Sequence, residues 1–133
     1  VRCETNEVLS PPSRLASRTE GTVQLCTFQQ RADLDRATFI GRWLGDHTSV
    51  AVETQRTFGY FQNLVAVDCE APFDALVEEH FPLAAAQSPE VFFDAINNPT
   101  KLKENVERMM TSCQRFIQQD TINVIHMSEY RIR

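Results

Sequence analysis

No apolar stretch in the 133-residue sequence approaches the roughly 20 residues that cross a bilayer, so a membrane span is not expected. The N-terminus also lacks the charged-then-apolar order of a secretory signal. Acidic and basic residues are interspersed, the net charge is -5, and no basic face suggests a nucleic-acid partner. We therefore predict a cytoplasmic protein that binds neither membranes nor nucleic acid.

Cysteine is sparse, and Cys3, Cys26, Cys69 and Cys113 are widely scattered. No CxxC and no Cys/His pair has the spacing of a zinc site, so no metal is predicted. Three of the four lie among apolar neighbours, as small buried hydrophobic residues do. A disulfide framework is an alternative, but free thiols in a reducing cytoplasm are the simpler interpretation.

The composition, with 42% apolar residues, fits one globular domain that can bury its own core. Hydrophobic periodicity predicts strands over 22–29, 57–67, 74–81 and 122–132, and helices over 34–53, 88–97 and 100–117. Asp33 is the predicted N-cap of the first helix. The order β-α-β-β-α-β, with its second helical region split, is the ferredoxin-like α+β arrangement: a four-stranded antiparallel sheet with helices on one face.

The strand predicted over 57–67 carries apolar groups on both faces, which a strand exposed on one side does not need. The face without helices is therefore expected to meet another sheet, most simply from a second copy of the chain. This pattern predicts an obligate homodimer with the sheets face to face.

The domain is predicted to span 22–133, with 1–21 as an N-terminal extension. Residues 1–8 resemble 123–130 when Glu7 is aligned with Glu129, and the chain begins with Val. One hypothesis is that 1–9 are the last strand of a preceding, similar domain. A valine read from an alternative start codon, or chance similarity, would account for the same pattern.

A Phe-x3-Trp-x3-His pattern is the most informative segment, because residues four apart share a helix face and Phe39, Trp43 and His47 align. Aromatic groups beside an imidazole can form a dry pocket with one proton-transfer group, and desolvation keeps that imidazole neutral. The alternative is a core helix ending in a histidine that bonds a nearby carbonyl. Spacing alone favours that alternative.

This helix pattern is followed by a strand with Tyr60, Gln62 and Asn63 and by Arg-Phe-Ile at 115–117. Together these segments resemble the EthD-like family of the dimeric α+β barrel superfamily, over roughly residues 22–132. The resemblance implies a homodimer with a pocket between sheet and helices. It also implies that the protein could be a cofactor-free dehydratase or decarboxylase of polyketide-like aromatics. Members often carry a second His or Tyr just before the tryptophan, where this chain has Arg42.

The first functional hypothesis is a cofactor-free lyase acting on a hydrophobic aromatic or polyketide-like compound, with His47 and Glu79 as catalytic residues. Its expected substrate-binding residues are Phe39, Trp43, Tyr60, Gln62 and Asn63. The second is a non-catalytic protein that binds small hydrophobic molecules in the same pocket.

The third hypothesis is a haem- or oxygen-using relative of superfamily monooxygenases, in some of which a histidine comparable to His126 ligates iron. The alternative interpretation of His126, which no flanking motif contradicts, is a partly buried strand histidine. Strand alternation places Glu79 on one face and Glu78 with His80 on the other. The alternative interpretation of Glu78, Glu79 and His80 is an exposed strand edge with solvated charges. Neither a cofactor nor a metal is predicted.

Overall fold

The computed structural model describes residues 1–12 and 18–130. Its strands are β1 (Cys3–Leu9), β2 (Thr22–Phe28), β3 (Gly59–Val65), β4 (Ala75–Phe81) and β5 (Asn123–Met127). Its α-helices are α1 (Arg36–Ile40), α2 (Thr48–Thr54), α3 (Pro89–Phe92) and α4 (Pro99–Gln114). A π-helical segment (Gly41–His47) joins α1 to α2, and short 3-10 turns lie at Leu83–Ala86 and Gln119–Thr121. The α+β class is as predicted.

The five strands form one antiparallel sheet in the order β1-β3-β4-β2-β5. Its last four strands occupy the positions expected of a ferredoxin-like sheet. The predicted count of four strands is wrong, because residues 3–9 pair with β3 and form an additional edge strand. Side-chain hydrogen bonds support this pairing, with Thr5 Oγ1 donating to Asn63 Oδ1 (2.6 Å) and Asn6 Nδ2 donating to Gln62 Oε1 (2.8 Å). Descent of β1 from a preceding repeat stays a prediction.

The first helical region runs without a break from Arg36 to Thr54, close to the predicted 34–53. Its N-cap is Asp35, whose carboxylate accepts a hydrogen bond from the Thr38 amide at 2.7 Å. The predicted cap Asp33 is wrong, since its carboxylate pairs with Arg31 instead. The π-helical segment contains Gly41 and Gly45, two poor α-helix formers.

The second helical region divides at residues 94–97, where Asp94 and Asn97 have positive φ angles of 51° and 54° and turn the chain. α3 is therefore shorter than the predicted 88–97. Asn98 then caps α4 by accepting a hydrogen bond from the Lys101 amide at 3.0 Å. The predicted last strand, 122–132, is β5, and residues 131–132 lie outside the described part of the chain.

The core lies between the helices and one face of the sheet. Sheet residues such as Phe28, Tyr60 and Val77 share one buried cluster with the helical residues Phe39 and Trp43. On the opposite face, apolar groups of the described strands remain exposed, including Ile125 (59% exposed) and Met127 (42% exposed). None of the helices in the described residues has the length and apolar character needed to cross a bilayer.

Candidate functional site

The aromatic residues predicted to line a pocket fill the interior instead. Phe39 is fully buried, and Trp43 is 1% exposed. The Trp43 ring lies 5.5 Å from that of Phe39 and 5.4 Å from that of Phe28 (centroid to centroid). Phe116 closes the cluster from the end of α4, 5.7 Å from Phe28. These contacts are those of a packed aromatic core.

His47 ends the π-helical segment and is buried on the same inner side of the helical run. Its Nδ1 lies 2.7 Å from Ser112 Oγ in α4, and its ring lies 4.9 Å from that of Phe116. Burial lowers the pKa of the imidazole from 6.5 to about 4, so His47 is neutral near pH 7. The alternative of a core histidine is right about burial, but the bonding partner is a hydroxyl and not a carbonyl.

A groove on the outer surface between α2 and α4 passes beside this histidine. It has a volume of about 540 Å³, and its lining includes Asp46, Val50, Arg108, Ser112 and Arg115. Asp46 accepts an ion-pair hydrogen bond from Arg115 at 3.1 Å across it. Ser112 therefore contacts both His47 and the groove.

Glu79 on β4 points into the core and is 5% exposed. The Gln55 amide nitrogen, in the orientation that satisfies its neighbours, donates to Glu79 Oε2 at 2.7 Å. Burial raises the pKa of the carboxyl from 4.5 to about 8, so Glu79 is mostly protonated at neutral pH. Perturbed carboxyl groups of this kind are frequent at functional sites.

Tyr60 pairs with Glu79 in the β3–β4 register and lies on the same face of the sheet. The Gln62 amide nitrogen donates to Tyr60 Oη at 3.1 Å and to Thr48 Oγ1 at 2.9 Å, joining β3 to α2. Burial is the main cause of a raised Tyr60 pKa, with a further contribution from the negative charge of Glu79. Asn63 lies on the other face, where it donates to Leu76 O at 3.0 Å.

Two thiols belong to the same buried region as Glu79. Burial, followed by the charge of Glu79, raises the pKa of Cys26 to about 11. Burial is also the first cause for Cys113, whose pKa rises to about 12. Both thiols are therefore protonated and unreactive at neutral pH. All four cysteines are free, as predicted.

The predicted site divides into two groups. His47 bonds to α4 through Ser112, whereas Glu79, Tyr60 and Gln62 lie on the sheet. Within residues 1–12 and 18–130, no hydrogen bond links His47 to Glu79. His126 lies on the exposed edge strand β5.

Sequence reasoning missed Ser112 and Gln55. Ser112 lies four residues before Phe116 on the α4 side, so helical spacing could have placed its side chain beside that ring. Gln55 directly follows the end of α2, and its contact with Glu79 depends on tertiary packing. No local pattern signals such a contact.

Comparison with known proteins adds no relative. The sequence matches no protein-family model, and no curated protein matches it. The EthD-like resemblance of residues 22–132 therefore stays a prediction.

Proposed function

We propose that this protein is a cofactor-free lyase of the EthD-like type, which dehydrates or decarboxylates small hydrophobic carbonyl compounds. The single observation that carries the proposal is the buried Glu79 carboxyl, whose pKa of about 8 places both of its protonation states within reach near neutral pH. A group that gives and takes protons works best when its pKa lies near the working pH. Tyr60, its neighbour across the strand pair, supplies a phenolic proton donor.

Glu79 and Tyr60 can together perform a β-elimination. Glu79 as carboxylate takes the proton from the carbon next to the substrate carbonyl, while the Tyr60 hydroxyl donates a hydrogen bond to the carbonyl oxygen and stabilises the enolate. The enolate then re-forms the carbonyl, the β-carbon–oxygen bond breaks, and Glu79 returns its proton to the departing hydroxyl as water. Gln62 orients Tyr60 by donating to its oxygen at 3.1 Å, which leaves the phenolic proton for the substrate.

The substrate must enter between sheet and helices. Tyr60 packs in one buried cluster with Phe39 and Trp43 of the helical run from Arg36 to Thr54, whose middle part is π-helical, and Gln55 just after that run contacts Glu79. Single π-helical turns within α-helices are frequent at functional sites. Movement of this run away from the sheet would open the interior.

A model substrate tests the proposal directly. Dehydration of 4-hydroxy-4-phenylbutan-2-one produces a conjugated enone that is followed by its ultraviolet absorption. Glu79→Gln is expected to lower turnover on the order of 10²-fold or more, because it removes the proton-transfer group and keeps its shape. Glu70→Gln, an exposed carboxylate outside the site, is the matched control and should keep full turnover. Full turnover in Glu79→Gln would reject Glu79 as the catalytic group.

His47→Gln is the second arm of the same experiment. The sequence predicts His47 as the acid/base residue, and its neutral imidazole is bonded to Ser112 at 2.7 Å. A loss of turnover only in His47→Gln would assign proton transfer to His47. A loss of turnover only in Glu79→Gln would assign it to Glu79.

A non-catalytic binding protein is the second candidate. It would need the same movement of the helical run, because its expected ligand contacts Phe39, Trp43 and Tyr60 are each no more than 1% exposed and pack in one core cluster. Trp43 is the only tryptophan, so its fluorescence reports on binding of the enone. Quenching by the enone that survives Glu79→Gln and His47→Gln, with no turnover in any variant, would establish binding alone.

We also propose a homodimer through the sheet face that the helices leave uncovered. Ile125 and Met127 on β5 are 59% and 42% exposed there, an arrangement that favours burial against a second copy. Ile125→Asp is expected to convert a dimer to a monomer in sedimentation velocity, because an unpaired charge in an apolar interface is costly. Val67→Asp, 80% exposed beyond the end of β3, should remain dimeric. A monomeric wild-type protein would contradict the proposal.

A further inference from the structure

We propose that Glu78, His80 and Glu129 bind a divalent transition-metal cation such as Zn²⁺. The three side chains lie away from the Glu79 site, and their ligand atoms are all within 4.8 Å of one another. Neither the lyase nor the binding hypothesis uses them. The cation site would be separate from the buried Glu79 carboxyl, since β4 alternation sends residues 78 and 80 to the opposite face.

The distances between the ligand atoms suit a small cation. His80 Nε2 lies 3.1 Å from Glu78 Oε2 and 3.8 Å from Glu129 Oε2. Zinc–nitrogen and zinc–oxygen bonds of about 2.0–2.2 Å in a tetrahedron place neighbouring ligand atoms about 3.3 Å apart. The cluster therefore needs only small side-chain adjustments to surround one ion.

The chemistry of the donors selects the class of metal. One imidazole and two carboxylates suit Zn²⁺, Mn²⁺ or Fe²⁺, whereas Mg²⁺ and Ca²⁺ favour sites made of oxygen alone. Three protein ligands leave a fourth position for water or a small ligand, as in catalytic zinc sites. Two neighbouring carboxylates repel each other, and a divalent cation removes this repulsion.

Within the described part of the chain, His80 is buried with one ring nitrogen unpaired, which a purely structural histidine does not require. Its side chain is 1% exposed, and its Nδ1 has no hydrogen-bond partner among the described residues. The ring packs closely against Gly59, where a Cβ atom would lie only 2.8 Å from His80 Cδ2. The backbone thus holds the ring in place, with Nε2 directed towards both carboxylates.

Glu129 is held in position by a neighbouring hydroxyl. Thr19 Oγ1 donates to Glu129 Oε1 at 2.7 Å, which leaves Oε2 as the atom that approaches His80. The Thr19 amide also donates to Glu129 O at 2.8 Å. Hydrogen bonds of this kind fix the orientation of carboxylate ligands in metal sites.

A surface pocket lies beside the cluster. It has a volume of about 640 Å³, and its lining includes Thr19, the partner of Glu129, and Phe58, whose ring lies 6.0 Å from that of His80. Arg18 also lines it but is engaged by Gly21 O at 2.9 Å and by Ser128 Oγ at 3.1 Å. In the single chain the side chains of Glu78 and Glu129 are 32% and 28% exposed, so a cation can reach both before a second copy covers this face of the sheet.

Titration of the metal-free protein with Co²⁺ alone tests this inference, because cobalt in a tetrahedral protein site absorbs visible light. We expect one Co²⁺ per chain, with the apparent Kd rising at least tenfold in Glu78→Gln and in Glu129→Gln. Glu70→Gln, exposed and outside the cluster, should bind like the wild type. Thr19→Val should weaken binding by about 10–100-fold with both carboxylates retained.

His80→Gln should also abolish the visible absorption, and circular dichroism will show whether that variant folds. The two glutamate variants keep the test valid if it does not. Absence of bound Co²⁺, or unchanged affinity in both Glu78→Gln and Glu129→Gln, would overturn the site and leave only a hydrogen bond between His80 and Glu78. A near-ultraviolet thiolate–cobalt band would overturn it as well, since it would place the metal on a cysteine.

Discussion

Glu79→Gln is expected to stabilise the folded protein at pH 7 by on the order of 3 kcal/mol, from a pKa that burial raises from 4.5 to about 8. Between these two pH values the folded state holds a proton on Glu79 that the unfolded chain has lost. The free energy of unfolding of the wild type therefore falls as the pH rises through this range. Glutamine keeps the shape of the side chain and removes the ionisation.

Urea unfolding at pH 4.5 and pH 8 measures this effect. Wild type and Glu79→Gln should have similar midpoints at the lower pH, where the carboxyl is protonated in the folded protein and still about half protonated in the unfolded chain, and should diverge as the pH rises. Glu70→Gln, an exposed carboxylate, should follow the wild type at both pH values. An equal gain at both pH values would show that the stabilisation is unrelated to proton binding.

His47 affects the pH dependence of the free energy of unfolding in the opposite direction. Its pKa is lowered by burial from 6.5 to about 4, so between these values the unfolded chain binds a proton that the folded protein does not. Stability supplied by the neutral imidazole is present above pH 6.5 and is lost as the pH falls towards 4. The two effects oppose each other where their ranges overlap, so maximum stability is expected between about pH 4.5 and pH 6.5. If Glu79→Gln is more stable and also inactive, the burial of this carboxyl is a cost retained for function.

Trp43→Ala is expected to destabilise the protein by about 3–5 kcal/mol, because it removes a large side chain from the centre of the aromatic cluster and leaves a cavity. Trp43 is 1% exposed and contacts the rings of Phe28 and Phe39. Urea unfolding followed by circular dichroism measures the loss without needing the tryptophan signal.

Leu83→Ala is the control, since Leu83 is a large apolar residue that is 63% exposed, and it should change stability little. A cost for Trp43→Ala as small as that of Leu83→Ala would mean that Trp43 lines a space able to close or fill with water. That result would favour the pocket predicted from the sequence over the packed core.

Local periodicity is sufficient to predict the central elements of the fold. β2, β3 and β4 and the helical run from Arg36 to Thr54 all have clear patterns of two or of three to four residues. β1 is not predictable in this way, because its role depends on partners more than 50 residues away, as in the pairing of Asn6 with Gln62. The predicted division of the second helical region is confirmed, but the positive φ angles of Asp94 and Asn97 at the division are not specified by residue type alone.

The sequence predicts where the residues of the candidate site lie, but it does not predict which residues they contact. Helical spacing correctly places His47 on a buried face, and strand alternation correctly separates Glu79 from His80. The partners of these residues come from distant segments: Ser112 for His47, Gln55 for Glu79, and Glu129 for His80. The third ligand of the proposed cation site has no short-range spacing for this reason, since Glu129 comes beside His80 only after β5 has paired with β2.

The edge strand β1 has a consequence for the order in which the protein folds. β3 and β4 are close in sequence and pair after a short loop closes, whereas β1 reaches β3 only across a separation such as the 66 residues between Arg2 and Asp68. Closing a long loop costs more chain entropy, so β1 is expected to join the sheet after β3 and β4 have paired. Its backbone amides should then exchange with solvent through local opening, earlier than those of β3 and β4.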